Sequence, residues 1–177
     1  MELILPSVDY KDSYIEAVKE FHAAHDSPPM ARHYVGLSVP DLEADFDGHV
    51  EKMKSQSRGD NLPEGWVPVT TYWLVDNRKY IGGVAIRHEL NENLKKFGGH
   101  VGYDIRPSMR GGGYGSKILE LGLQKAKEHG ISHVLIDCSA SNIASRKIIE
   151  KNGGIYENKG VNPDTGGESL RYWIKNE

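Results

Sequence analysis

Apolar residues recur at two spacings along the chain, and the switches between them mark out an ordered set of helices and strands. Glu2-Leu-Ile-Leu5 reads as a short strand. From Asp9 to about His25, Tyr14, Val18 and Phe21 return at intervals of four and three, which predicts a helix with one apolar stripe, capped by Asp9 and stopped by Pro28-Pro29. A polar connection leads to a second predicted helix from near Ser38 to Gly59, with Pro40 in its first turn and Leu42, Phe46, Val50 and Met53 as its stripe. Three strands follow, Val67 to Val75, Tyr80 to Ile86 and His100 to Ile105. The first two are joined by Asp76-Asn-Arg-Lys79, which has hairpin length and chemistry, while Glu89 to Gly99 is a longer polar connection expected to project from the sheet.

Beyond Pro107 the helical period returns. Residues 113–129 bury Ile118, Leu119, Leu121, Leu123 and Ala126 and stop at His129-Gly130. His133-Val-Leu-Ile-Asp-Cys138 is a near-continuous apolar run of the kind found in a strand covered on both faces. A short helix from about Asn142 to Asn152 ends at Gly153-Gly154, and two last strands lie near 155–158 and 169–175. The order β-α-α-β-β-β-α-β-α-β-β predicts an α/β fold of α+β type, a mixed sheet with helices packed on it. No repeat or linker divides the 177 residues, so one domain over 1–177 is expected.

Composition narrows the function classes. With 38% apolar and 27% charged residues and a net charge of −3, neither a disordered chain nor a nucleic-acid-binding surface is suggested. No apolar run nears the length of a membrane span, and the start lacks a basic segment followed by a hydrophobic one, so no membrane partner is expected. A lone cysteine, Cys138, rules out an internal disulfide and suits a reducing compartment, which points to a cytoplasmic protein. His22 and His25 share a helix face without a third ligand at metal spacing, so no metal site is expected.

The run Arg110-Gly-Gly-Gly-Tyr-Gly115, between a strand and a helix, is the strongest chemical feature. A nucleotide-binding P-loop needs Gly-Lys-Ser/Thr, which occurs nowhere. A dinucleotide fingerprint would put its third glycine at Ser116 or Ile118. A kinase loop would need a later His-Arg-Asp segment, also missing. What remains is Arg-x-x-Gly-x-Gly opening a helix, where unpaired N–H groups and the helix dipole favour a pyrophosphate that glycines allow to approach closely. Arg110 adds a planar donor for phosphate oxygen.

This turn, with Gly102-Tyr-Asp-Ile-Arg-Pro107 before it and Asn142-x-x-Ser145-x-x-Ile-x-Glu150-Lys-x-Gly153 after it, resembles the GNAT N-acetyltransferase superfamily, whose pattern is Gln/Arg-x-x-Gly-x-Gly/Ala after the fourth strand. The resemblance implies an acetyl-CoA co-substrate held where strands four and five splay apart. The backbone at Ile105 would pair with the pantetheine arm. Arg110, Gly111, Gly112, Gly113, Tyr114, Gly115 and Ser116 would hold the pyrophosphate, and Asn142 and Ser145 would face the same cleft. It also implies direct attack by an amine, whose identity stays open between a small molecule and a peptide. Removing the amine's proton calls for a base, with Glu89, His88, His100 and Asp104 as candidates. His100 is the best single match to the family position and Glu89 the next. Relatives carry a tyrosine where this chain has Ile149, so a proton donor to the leaving thiolate has to come from elsewhere, with Tyr156, Tyr103 and Ser145 as candidates. Cys138 as a covalent nucleophile and a non-catalytic acyl-CoA-binding sensor are the rival readings, and a homodimer is left open.

Overall fold

A computed structural model describes residues 1–24, 32–60, 62–163 and 165–177. His25 and the Pro28-Pro29 stop lie outside the described residues. A four-stranded antiparallel sheet has the order β1-β2-β3-β4, with β1 Glu2–Ile4, β2 Val69–Asp76, β3 Lys79–Arg87 and β4 Val101–Ile105. A three-stranded sheet has the order β5-β7-β6, with β5 His133–Ser139, β6 Ile155–Val161 and β7 Glu168–Lys175. The β2–β3 hairpin turns through Asn77 and Arg78, both at positive φ (46° and 61°), the two-residue turn whose twist suits paired strands.

The helices are α1 Lys11–Ala23, α2 Arg32–Val35, α3 Val39–Ala44, α4 Phe46–Arg58, α5 Glu92–Lys96, α6 Tyr114–Glu128 and α7 Ile143–Lys151. Three departures from the sequence reading have local causes. The helix expected from Ser38 to Gly59 is two, because Asp45 leaves helical geometry and accepts a bond from the Gly48 N–H, capping a new helix at Phe46. The polar stretch Glu89 to Gly99 contains α5, capped by Asn91, whose Oδ1 accepts from the Leu94 N–H at 2.8 Å. The strand expected at 155–158 runs to Val161 against β7.

Two cores result. Leu74, Val84, Ile86, Ile118, Leu119, Ile136 and Ile149 belong to an aliphatic core under α6 and α7. Tyr14, Phe21, Tyr34, Phe46, Trp73 and Tyr80 form an aromatic core under α1 to α4. The register explains the split at β4. Val101 and Ile105 point to the aliphatic side, and strand alternation turns Gly102 and Asp104 towards the aromatic one. Arg106, buried just after β4, ties this strand to α1 through Glu20 at 2.7 Å and Glu16 at 3.1 Å.

The two sheets meet at one point. The His100 N–H donates to the Leu135 carbonyl at 2.7 Å, and the Leu135 N–H donates to His100 Nδ1 at 2.9 Å. Beside this contact lies a cleft lined by Val101, Gly102 and Tyr103 of β4 and by Asp137, Cys138 and Ser139 of β5. Among the described residues no helix is long and apolar enough to cross a membrane, and no three His, Cys, Asp or Glu side chains gather into a metal site.

Candidate active site

The cleft between β4 and β5 has a volume of about 290 Å³ and is also lined by Asn142 and Ser145. Asn142 caps α7 by accepting from the Ser145 N–H at 3.0 Å, and the Ser145 hydroxyl bonds that of Tyr103 at 3.0 Å. At the C-terminal end of β4 the chain turns through Arg110 to Gly113 into α6. Gly111 and Gly113 have φ of 80° and 82°, and a Cβ on either would meet nothing within 4 Å, so backbone conformation rather than crowding demands glycine and the space outside stays open. Gly113 is the N-cap of α6, with no side-chain cap and no acid in the first turn. A main-chain anion site needs those three properties, so the residues present fit the pyrophosphate of a coenzyme A. Gly115 has a different role. A Cβ there would lie 2.6 Å from Ile148 Cδ1, so its absence lets α6 and α7 close together. Gly112 lies under the Tyr114 ring, which a Cβ would approach to 2.8 Å, and the Ser116 N–H turns back to the Gly113 carbonyl at 3.1 Å. Arg110 Nε donates to the Ile105 carbonyl at 3.2 Å, bracing the end of β4 beside the turn.

None of the three catalytic residues expected from the sequence lines a cavity of this site. His100 spends its Nδ1 lone pair on the Leu135 N–H, and burial, with the Arg87 charge beside it, lowers its pKa, so it is a neutral ring joining the two sheets. Glu89 is exposed on the bend after β3 and reaches neither cavity. Tyr156 lies on β6, half exposed, with its ring edge against Tyr172 at 5.7 Å. His88, weighed as a further base, bonds Thr70 at 2.8 Å and stacks on His129.

The structure instead gathers a second cavity, of about 410 Å³, on the aromatic side of the sheet. Tyr14, Tyr34, Trp73, Val84 and Met53 are among its walls, and Asp104 lies in it. The Asp104 side chain is 8% exposed, and its Oδ1 has no hydrogen-bond partner. Burial raises its pKa to about 8, against the pull of the Arg110 charge and a hydrogen bond from Tyr34. The Tyr34 hydroxyl also bonds that of Tyr80 at 2.5 Å. Gly83, paired with Asp104 across β3 and β4, makes room for this group, since a Cβ there would stand 2.8 Å from the Tyr34 hydroxyl oxygen. The two cavities share Arg87, Asn93 and Leu94 on their rims, and β4 runs between them. The sequence signal for Asp104 was its parity within Val101-Gly-Tyr-Asp-Ile105. Tyr34 and Gly83 gave no such signal, because their neighbours come from distant segments.

A domain model described as acetyltransferase (GNAT) domain matches residues 13–155. The chain belongs to the GNAT acetyltransferase family. Solved structures agree on the fold. RimL, a ribosomal-protein α-N-acetyltransferase in complex with coenzyme A, is 16% identical with a TM-score of 0.70, covering 98% of this chain and 92% of its own. MccE, a microcin self-immunity acetyltransferase in complex with acetyl-CoA and AMP, is 13% identical with a TM-score of 0.70, covering 98% and 91%. A spermidine N-acetyltransferase SpeG chimera from Vibrio cholerae is 15% identical with a TM-score of 0.62, covering 98% and 94%. A search of curated proteins finds no match.

As a GNAT acetyltransferase the protein uses acetyl-CoA, and its family tyrosine position is Ile149, fully buried in the aliphatic core. Among the hydroxyls that line the β4–β5 cleft are those of Tyr103 and Ser145, which bond each other. Burial pushes the Tyr103 phenol up to about 12, so it keeps its proton at neutral pH and serves a leaving thiolate as a hydrogen-bond donor, being too weak an acid to protonate it. Burial, with Asp137 adjacent, pushes the Cys138 thiol up to about 11, which leaves it a packing residue without the thiolate a covalent nucleophile requires.

Proposed function

We propose that this chain transfers the acetyl group of acetyl-CoA to a primary amine by direct attack, with Asp104 as the proton acceptor. The observation that carries this reading is the buried Asp104 carboxyl, whose Oδ1 is unpartnered in an aromatic cavity on the far side of β4 from the donor cleft. A carboxylate near 4 in water could not take a proton from an ammonium above 10. Both values move the useful way here, because burial brings Asp104 to about 8 and desolvation lowers an amine. In the transfer the amine nitrogen forms a bond to the thioester carbonyl carbon and the carbon–sulfur bond breaks. The amine's proton goes to Asp104. The sulfur leaves as thiolate, hydrogen-bonded by the Tyr103–Ser145 hydroxyl pair, and takes its proton from solvent.

The donor would lie along the β4–β5 cleft, its pyrophosphate at Gly111 to Gly115 and its pantetheine arm beside Tyr103 to Ile105 and Asn142. Ile149 taken alone favours a module that binds acyl-CoA without turnover. A buried carboxyl with one oxygen left unpartnered, which costs stability, favours catalysis instead. Calorimetric titration with acetyl-CoA followed by a thiol-release assay with primary amines tests the proposal. Expected are binding and turnover in the native protein, and intact binding with turnover lost in Asp104→Asn. Failure to bind acetyl-CoA, or full turnover in the variant, would overturn it.

A further inference from the structure

The cavity that holds Asp104 has a distribution of charge that selects among amines. Its walls include aromatic side chains, with Tyr14 and Trp73 stacked on each other at 4.6 Å between centroids, and Trp66 stands 59% exposed among its lining residues. Among the described lining residues Asp104 is the one acid. The charged group shared with the donor cleft is a cation, Arg87, held by the Gly98 and Gly99 carbonyls at 3.1 and 3.0 Å. A single ammonium is therefore matched at Asp104, with tyrosine and tryptophan side chains around it. A second or third ammonium on the same molecule would find no carboxylate along these walls and would face Arg87. The polar side chains on these walls, including Gln56, Thr71, Asn91 and Asn93, carry no charge and offer a second ammonium no counter-ion.

We propose that the acceptor is a primary monoamine bearing an aromatic ring, with its ammonium at Asp104 and its ring among Tyr14, Trp73 and Trp66. About 410 Å³ suits a molecule of this size. This inference rests on the acetyl-transfer reading above and narrows it.

The test uses the full chain saturated with acetyl-CoA and follows thiol release with 2-phenylethylamine, spermidine and a short peptide with a free N-terminal serine. A kcat/KM for 2-phenylethylamine about 100-fold above that for spermidine is expected, because the extra charges are buried unpaired. Thr71 lines the same cavity, and Thr71→Glu should bring the two amines about tenfold closer while acetyl-CoA affinity stays unchanged. Spermidine or the peptide leading in the native protein, or no change of ratio in Thr71→Glu with binding intact, would overturn the acceptor class. Inert amines with acetyl-CoA tightly bound would overturn it too. Failure to bind acetyl-CoA would instead sink the donor assignment on which it rests.

Discussion

The β4–β5 cleft, proposed for the donor, and the aromatic cavity, proposed for the amine, lie on either side of β4 and are built in opposite ways. The proposed pyrophosphate site is main chain from one short stretch, the turn from Arg110 into α6, next to the strands that border the β4–β5 cleft. The amine side is made of side chains brought together from α1, α2, α4 and the first sheet, including Tyr14, Tyr34, Met53, Trp73 and Asp104. A main-chain site tolerates any ligand with the right phosphates, whereas a side-chain site is specific to what its particular groups surround. On the proposed reading the shared donor chemistry belongs to the turn and the choice of acceptor to scattered positions, and substitutions should separate the two.

The largest effect is expected at Asp104. Asp104→Asn should lower kcat/KM by about a thousandfold while acetyl-CoA affinity stays within a factor of two or so, as steady-state kinetics and calorimetry would read. Gly113→Asp should do the reverse. A side chain at φ 82° strains the turn and a negative charge repels the pyrophosphate, so acetyl-CoA affinity should fall by about 100-fold or more, with the fold retained by circular dichroism. Gly83→Ala sets a methyl 2.8 Å from the Tyr34 hydroxyl and should cost about tenfold in kcat/KM without touching acetyl-CoA binding. The smallest change is expected from Asn142→Ala. Losing its cap on α7 should cost about 1 kcal/mol, read as a fall of about 2–4 °C in Tm, with a modest loss of donor affinity.

Asp104 also links the site to stability. Its pKa is raised in the folded protein, so its contribution is fully present below the unfolded value near 4 and is lost as pH rises through about 8. Asp104→Asn should therefore gain on the native protein in Tm between pH 5 and pH 9, a loss of function accompanied by a gain in stability.

The same contrast explains what could be read from the sequence. Most of the elements and the glycine turn into α6 were legible because each is a local pattern, such as the stripe of α6 or glycines at fixed offsets. The break at Asp45 was hidden because an apolar stripe continues across a capping residue. His100 and Glu89 attracted attention by residue type and place in the chain. Only the folded register shows that His100 pairs with Leu135 and that Glu89 faces water. Asp104 was weighed on the sequence but set below them, since its burial depends on Tyr14, Tyr34 and Tyr80, which come from three other elements.

The most direct test of Asp104 as the proton acceptor is the pH dependence of kcat/KM with a primary amine, in the native protein and in Asp104→Asn. In the native protein the rate should need ionised Asp104 and a protonated amine, giving a bell with limbs near 8 and near the amine's own value around 10. In the variant the lower limb should vanish, leaving a much slower rate that climbs steadily with the free amine. A native profile without a limb near 8, or the same bell in both proteins, would contradict the assignment.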